Sequence, residues 1–501
     1  MSIARRLGAE APFFGVFLAA LGPAAPGEEP GVPTRSADRP NIVLVVLDDV
    51  GLDNLGAYCS VAPELHPPCT PNIDALAARG VLFRQAYASP LCSPTRAMIL
   101  TGRHGFRTGI GNLVEFTGAG PGLSAERERT LPEVLTGYDS SLVGKWHLAD
   151  PRTDGLQHPL ACGFRYFAGS MFNLSVPPVD FGAGALDCSP GGEAETGYYH
   201  WVKTCDPAKS GVLEQTCSRT YATTDTADEA IARVQAMRPP WFLEVAFNAA
   251  HRPFSAPPEE LVPHGACAFQ YGRLAHPTMA EDADAMVEAL DHELGRLLAE
   301  IHALDPRAYV LLVSDNGTDE AAIDAGAIGC FDQEHSKGTA YQAGIRVPLI
   351  VAGPDVVPGT CDALVSAVDL FATIAELARV SAATEDSVSL VPYLHGRRDP
   401  LRETIYTELF RPNFVPAGAG AALRSAPDRH TRVVLNGRFK LIRFTDEVGR
   451  VEERLFDLEE DPSEQRDLSP GLGPADPERL TPLQAGNLRA LQAELSLLGV
   501  L

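Results

Sequence analysis

The chain of 501 residues predicts an α/β fold, a large mainly parallel sheet sandwiched by helices, with a smaller C-terminal α+β subdomain containing an antiparallel sheet. Three observations predict it. Unbroken runs of β-branched and aliphatic residues recur along residues 40–400, as in strands buried on both faces. Helical patterns lie between those runs, and such alternation produces parallel pairing through crossovers. After about residue 400 the pattern changes to alternating apolar and polar residues broken by turn signals, the signature of hairpins.

Taken in order, residues 1–25 read as a signal peptide. Arg5 and Arg6 precede the apolar "APFFGVFLAAL", and "GPAAPG" supplies small residues for cleavage. Residues 26–39, rich in Pro, Gly and charge, form a linker. "NIVLVVLDD" is a strand ending in two aspartates, and "TPNIDALAARGVLF" is a capped helix ended by Gly80. "SSLVGKWHL", "WFLEVAFNAAH", "AYVLLVSDNG" and "RVPLIVAGP" are further strands; "TTDTADEAIARVQAM" and "AEDADAMVEALDHELGRLLAEIHAL" are helices. The catalytic-domain candidate thus spans 40–400. The C-terminal subdomain, 401–501, holds hairpins through "HTRVVLNGRFKLIRFTDEVGRVEERLFDL" and a helix through "PLQAGNLRALQAEL", while the Gly/Ala-rich pieces near 182–194 and 415–425 read as loops.

A formal net charge of −24 argues against nucleic acid or an anionic membrane surface as partner. No other apolar segment is long enough to span a bilayer, so an exported, secreted or periplasmic protein is expected. Ten cysteines suit that setting. Cys59 with Cys69, and some pairing within Cys188, Cys205 and Cys217, are candidate disulfides by proximity, with the connectivity left open by the sequence.

Polar residues gather just past the strands. Asp48, Asp49, Asp315 and Asn316 make an all-oxygen set suited to Ca²⁺ or Mg²⁺, although each pair is equally readable as helix caps or turn residues. Lys145 and His147 in "VGKWHL", His251 in "NAAHRPF" and Lys337 in "EHSKGTAYQAGIRVP" follow later. Singly, they read as solvated or structural residues. Together with a metal, they form a cradle for a tetrahedral oxyanion. In "LCSPTRAMILTGR", Cys92 opens a helix, four residues before Arg96; by itself it is readable as half a disulfide, a buried filler or a nucleophile.

These residues carry a resemblance. Cys92, Pro94, Thr95 and Arg96, followed by Thr101, Gly102 and Arg103, resemble the signature of the type I, formylglycine-dependent sulfatases, the arylsulfatase family of the alkaline-phosphatase-like superfamily. "GKWHL", "SDNG", "GIRVPLIV" and "LFDLEEDPSEQRDL" resemble family blocks in the expected order, and the likeness runs from about 40 to about 470. Ala149, Ala250 and "QAGIR" depart from the usual neighbours without removing a chemical group.

The resemblance implies a sulfuric ester hydrolase. Asp48, Asp49, Asp315 and Asn316 would be metal ligands, usually for Ca²⁺, with modified Cys92 completing the sphere; Arg96, Lys145, His147, His251 and Lys337 match catalytic positions, and Lys145, His251 and Lys337 substrate-binding ones. A formylglycine-generating enzyme would oxidise Cys92, and the hydrated aldehyde would attack sulfur while His251 and Lys337 assist the departing alcohol. His147 would then deprotonate the second hydroxyl, which expels sulfate. Two other readings stay open: a phosphonate or phosphate ester hydrolase of the same superfamily, and a non-catalytic binding protein with unconverted Cys92. The substrate, a small-molecule or carbohydrate sulfate ester, is expected among loops such as "CGFRYFAGSMFNLSVPPVDFGAG" and "TGYYHWVKTC", where Tyr198, Tyr199, His200 and Trp201 are candidates for stacking on a ring or for packing onto the core.

Overall fold

A computed structural model describes residues 39–59, 67–182, 184–189, 196–262, 278–323, 333–416, 427–471 and 473–498. The expected signal peptide and all but the last residue of the linker lie outside them.

The apolar runs form an eight-stranded sheet. Its order is Gly359–Cys361, Val81–Phe83, Leu349–Ala352, Tyr309–Ser314, Ile42–Leu47, Trp241–Ala246, Asp139–Gly144 and Tyr166–Ala168. Leu349–Ala352 is antiparallel to both its neighbours, and every other pairing is parallel. The sheet is therefore mixed and mostly parallel, with the run in "RVPLIVAGP" turned against the rest. Its entering end therefore faces the edge where the other strands finish.

Alternate residues of Ile42–Leu47 feed two cores, which is why the run is apolar throughout. Ile42, Leu44 and Val46 join Met98, Ile99, Phe371 and Ile374 on one face. On the other, Val43, Val45 and Leu47 join Ile73, Ala230, Leu290 and Leu294. The covering helices are Cys92–Thr101 and Asp369–Leu377 on the first side, and Pro71–Ala78, Ala222–Ala236 and Met279–Leu304 on the second.

The C-terminal hairpins form a four-stranded antiparallel sheet, Ile405–Arg411, Arg429–Leu435, Phe439–Thr445 and Val451–Asp457 in sequential order. One face packs Val434, Leu441 and Leu455 on Leu488, Leu491 and Leu495 of the helix Pro482–Leu498. The other packs Ile405, Val433 and Ile442 against Tyr87 and Ile345 of the main body.

Among the described residues the one disulfide joins Cys188 and Cys217. The expected Cys59–Cys69 bridge is not formed, since Cys59 is a free thiol, and Cys205 is free as well. The pairing expected among Cys188, Cys205 and Cys217 is thus formed, as Cys188–Cys217. Cys205 is left out of it because it lies at the end of the strand Trp201–Cys205, whose hairpin register sets it opposite Glu214 while Cys217 faces Val202.

Candidate active site

Four parallel strands end at one place, and the chain leaves each with a polar group. Asp48 and Asp49 follow Ile42–Leu47, Asp315 and Asn316 follow Tyr309–Ser314, Lys145 and His147 follow Asp139–Gly144, and His251 lies in the loop after Trp241–Ala246. Ligands of open α/β sheets bind at such strand ends. Lys337 comes from the loop that leads into the reversed strand Leu349–Ala352. Cys92 is the first residue of the helix Cys92–Thr101, where backbone N–H groups point outward and favour negative charge.

The structure brings every one of these residues together. Cys92 is fully buried, and its Sγ lies 3.4 Å from Asp48 Oδ1. Lys145 Nζ donates to Asp48 Oδ2 at 2.5 Å, and Lys337 Nζ donates to Asp49 Oδ2 at 2.6 Å. Arg96 donates twice to Asp315 Oδ2, at 3.0 and 2.7 Å, and its Nη1 donates to the Lys145 carbonyl at 3.0 Å. Asn316 Nδ2 donates to Asp49 Oδ1 at 2.7 Å, and His251 Nε2 lies 3.8 Å from Asp49 Oδ2.

Three buried carboxylates face three buried or half-buried cations, so each titration is set by its neighbours. Burial works against charge on Asp49, yet Lys337, His251 and Lys145 hold its carboxyl well below the usual range. Asp315 is pushed up to about 6 by burial and by Asp48, against the pull of Arg96. Burial, reinforced by Asp315, raises the Cys92 thiol, so an unmodified cysteine is a poor nucleophile here. Burial and the surrounding Lys145 and Arg96 push His147 well down, and burial with Lys337 pushes His251 to about 3. Both imidazoles are therefore neutral at pH 7. His251 Nδ1 lies 2.6 Å from the Arg252 carbonyl, which fixes the proton there and leaves Nε2 as the lone-pair nitrogen.

Local backbone supports this arrangement. Asp49 and His147 have φ of 63° and 60°, left-handed values that side chains rarely adopt. Such conformations cost of order 1–3 kcal/mol and persist where the surroundings impose them. At His147 the restraint is Ser93, whose hydroxyl donates to the His147 carbonyl at 2.8 Å while accepting from Val114 N–H at 3.0 Å. Near His251, the Tyr198 hydroxyl reaches the Asn248 and His251 carbonyls at 2.6 and 2.9 Å. Sequence reasoning assigned no role to Ser93 and left Tyr198 either to stack on a ring or to pack onto the core. Tyr198 and Trp201 are buried in the core, the second of those alternatives.

The oxygen donors suit a hard cation. Ligand atoms of Asp48, Asp49, Cys92 and His251 lie within 4.8 Å of one another, and Asn316 Oδ1 is buried without a hydrogen-bond partner. A buried amide oxygen left unpaired costs free energy that a bound cation would offset. Asp315, gripped by Arg96, is outside that tight group.

A cleft of about 540 Å³ opens above the cluster, with His147, His251 and Lys337 at its floor. Phe172, Val176 and Pro177 line one part, so the loop "CGFRYFAGSMFNLSVPPVDFGAG" does contribute. None of Tyr198, Tyr199, His200 and Trp201 lines it.

Comparison with known proteins agrees with this architecture. The Sulfatase family model matches residues 40–380, and a second, described as N-sulphoglucosamine sulphohydrolase, C-terminal, matches 326–471. Arylsulfatase A of Homo sapiens is 30% identical over 496 residues, covering 92% of this chain and 89% of that protein. N-acetylgalactosamine-6-sulfatase of Canis lupus familiaris is 32% identical over 381 residues, covering 71% and 66%. Among solved structures, a putative sulfatase, yidJ, of Bacteroides fragilis superposes with a TM-score of 0.68 at 18% identity, covering 92% and 96%. Ps i-CgsB in complex with k-i-k-neocarrahexaose superposes at 0.67 and 22% identity, covering 91% and 92%. Fold and matches together define a hydrolase of the alkaline-phosphatase-like superfamily. Within it the chain belongs to the sulfatase family, as a type I sulfatase that hydrolyses sulfuric esters.

Proposed function

We propose that the protein removes sulfate from a carbohydrate ester, using Cys92 converted to Cα-formylglycine beside a divalent cation, Ca²⁺ before Mg²⁺. The observation that carries this is the seat of Cys92: a fully buried thiol at a helix start, 3.4 Å from Asp48. No substrate could be attacked by that thiol, held protonated by its surroundings, whereas a hydrated aldehyde at the same position supplies one hydroxyl for attack and a second for release of sulfate. Asp48, Asp49, Asp315 and Asn316 would hold the cation, which supplies Lewis acidity toward bound oxygens.

The chain's own groups divide the remaining work. Arg96, Lys145 and Lys337 place positive charge around the bound sulfate against the acidic whole molecule. Lys337, which Asp49 keeps charged against the cost of burial, donates a hydrogen bond to the departing oxygen. His251 Nε2 orients that oxygen's neighbourhood from the cleft floor. Neutral His147 takes the proton from a hydroxyl at position 92, the role of a general base. A carbohydrate leaving group is supported by relatives named for sugar sulfates and by a cleft large enough for one ring. Export is supported by the Cys188–Cys217 disulfide. Among the described residues no helix is long and apolar enough to cross a membrane.

The test pairs mass spectrometry of the peptide containing Cys92, made with a formylglycine-generating enzyme, with turnover of an aryl sulfate. Conversion is expected to track activity, and Cys92→Ala is expected to lose at least about a thousandfold in kcat while remaining folded. Full activity in that variant would refute the mechanism.

A further inference from the structure

Beyond the catalytic floor, the charged part of the cleft wall is acidic. It presents Glu115, Arg252, Asp319 and Glu320. Arg252 is already engaged: its Nε and Nη2 donate to the two oxygens of Asp319 at 3.0 and 2.5 Å, and Nη2 lies 3.8 Å from Glu320. Asp319 is itself pinned, accepting from the Ala321 N–H at 3.0 Å. The wall thus holds one guanidinium and three carboxylates, and the guanidinium already contacts two of them. Two further arginines, Arg411 and Arg429, line an adjoining cleft that shares Leu113 and Glu115 with the first, but they stand there with Asp428 and Glu447.

Carboxylates accept hydrogen bonds from hydroxyls and repel anions, and the apolar Phe172, Val176 and Pro177 suit the C–H face of a ring. A second sulfate or a carboxylate on the leaving group would meet this wall with no uncommitted cation among the described residues to receive it. We infer that the leaving-group subsite selects an alcohol bearing no second anionic group, so that the enzyme acts on singly sulfated, otherwise uncharged units and excludes polyanionic ones. Glu115 and Glu320 are the selecting residues; Asp319 removes Arg252 from competition. The inference rests on the proposed sulfatase mechanism at Cys92 and specifies its substrate class.

The test compares kcat/KM for nitrophenyl sulfate and for the same ester carrying a ring carboxylate, with enzyme whose Cys92 conversion has been verified. The carboxylated ester is expected to be poorer by roughly tenfold, the size of a like-charge interaction across several ångströms of cleft. In the double variant Glu115→Gln, Glu320→Gln that ratio is expected to fall to about threefold or less. Both residues are at least partly exposed, so the fold is not at stake. Equal or better turnover of the carboxylated ester by the parent protein, or a ratio unmoved in the double variant, overturns the inference. No turnover of either ester by converted enzyme would instead overturn the proposed function, and the inference with it.

Discussion

Glu244 shows how far a single buried group can be read. It occupies the middle of the strand Trp241–Ala246 between Leu44 and Leu142, and its Oε2 has no hydrogen-bond partner. Burial pushes its carboxyl up to about 7, against the nearby Arg96. The ordinary value is lower, so the unfolded chain ionises first, and stability is lost as pH rises from the usual carboxylate range through 7. Glu244→Gln keeps the shape and removes the charge. The variant is therefore expected to gain stability over the parent by about 2–3 kcal/mol at pH 8 and by little at pH 5, read from paired thermal melts. The opposite pH trend would show that Glu244 is paired and charged in the folded protein. Nothing in the sequence flags this residue, because a lone Glu inside an apolar run does not announce what lies over it.

At the scale of elements, the C-terminal sheet buttresses the segment before Cys92. Thr407 Oγ1 donates to the Ala88 carbonyl at 3.0 Å, and Ser89 Oγ donates to the Glu408 carbonyl at 3.1 Å. Glu464 accepts from Gln342 N–H at 2.5 Å, tying the loop after Lys337 to the same sheet, and forms a fully buried ion pair with Lys440 at 2.6 Å. The helix Pro482–Leu498 covers the sheet's far face, away from the site. Leu491→Ala there is expected to cost about 2–4 kcal/mol by denaturant unfolding and to leave kcat of the folded fraction within about twofold. The long strands and the helices of residues 71–78, 222–236 and 279–304 were legible in the sequence because their patterns are long and unbroken. Val81–Phe83 and Gly359–Cys361 are too short to carry a period, and the reversal of Leu349–Ala352 has no local signal, since strand direction is decided by connections.

For the molecule as a whole, the acidic cluster predicts linkage between cation and fold. Chelation is expected to lower Tm and added Ca²⁺ to restore it, by about 3 kcal/mol at a hundredfold excess over Kd. Because Asp315 is held near 6, affinity should strengthen from pH 5 to 7 as it sheds its proton, which titration calorimetry in two buffers would read as proton release. A Tm indifferent to chelator would argue against a resident cation. The candidate set that the structure gathers was legible from signature blocks, most of them anchored at strand ends; the contacts of Ser93, Tyr198 and the Arg252–Asp319 pair were not, since they join residues distant in sequence. Those same distances have a bearing on time. Arg96 and Asp315 are 219 residues apart, yet they pair within the same buried cluster as Cys92. During synthesis the signature segment emerges long before the strand that closes over it. If Cys92 is converted as proposed, the converting enzyme would have to work within that interval, and a chain that folded first would present it with a fully buried thiol.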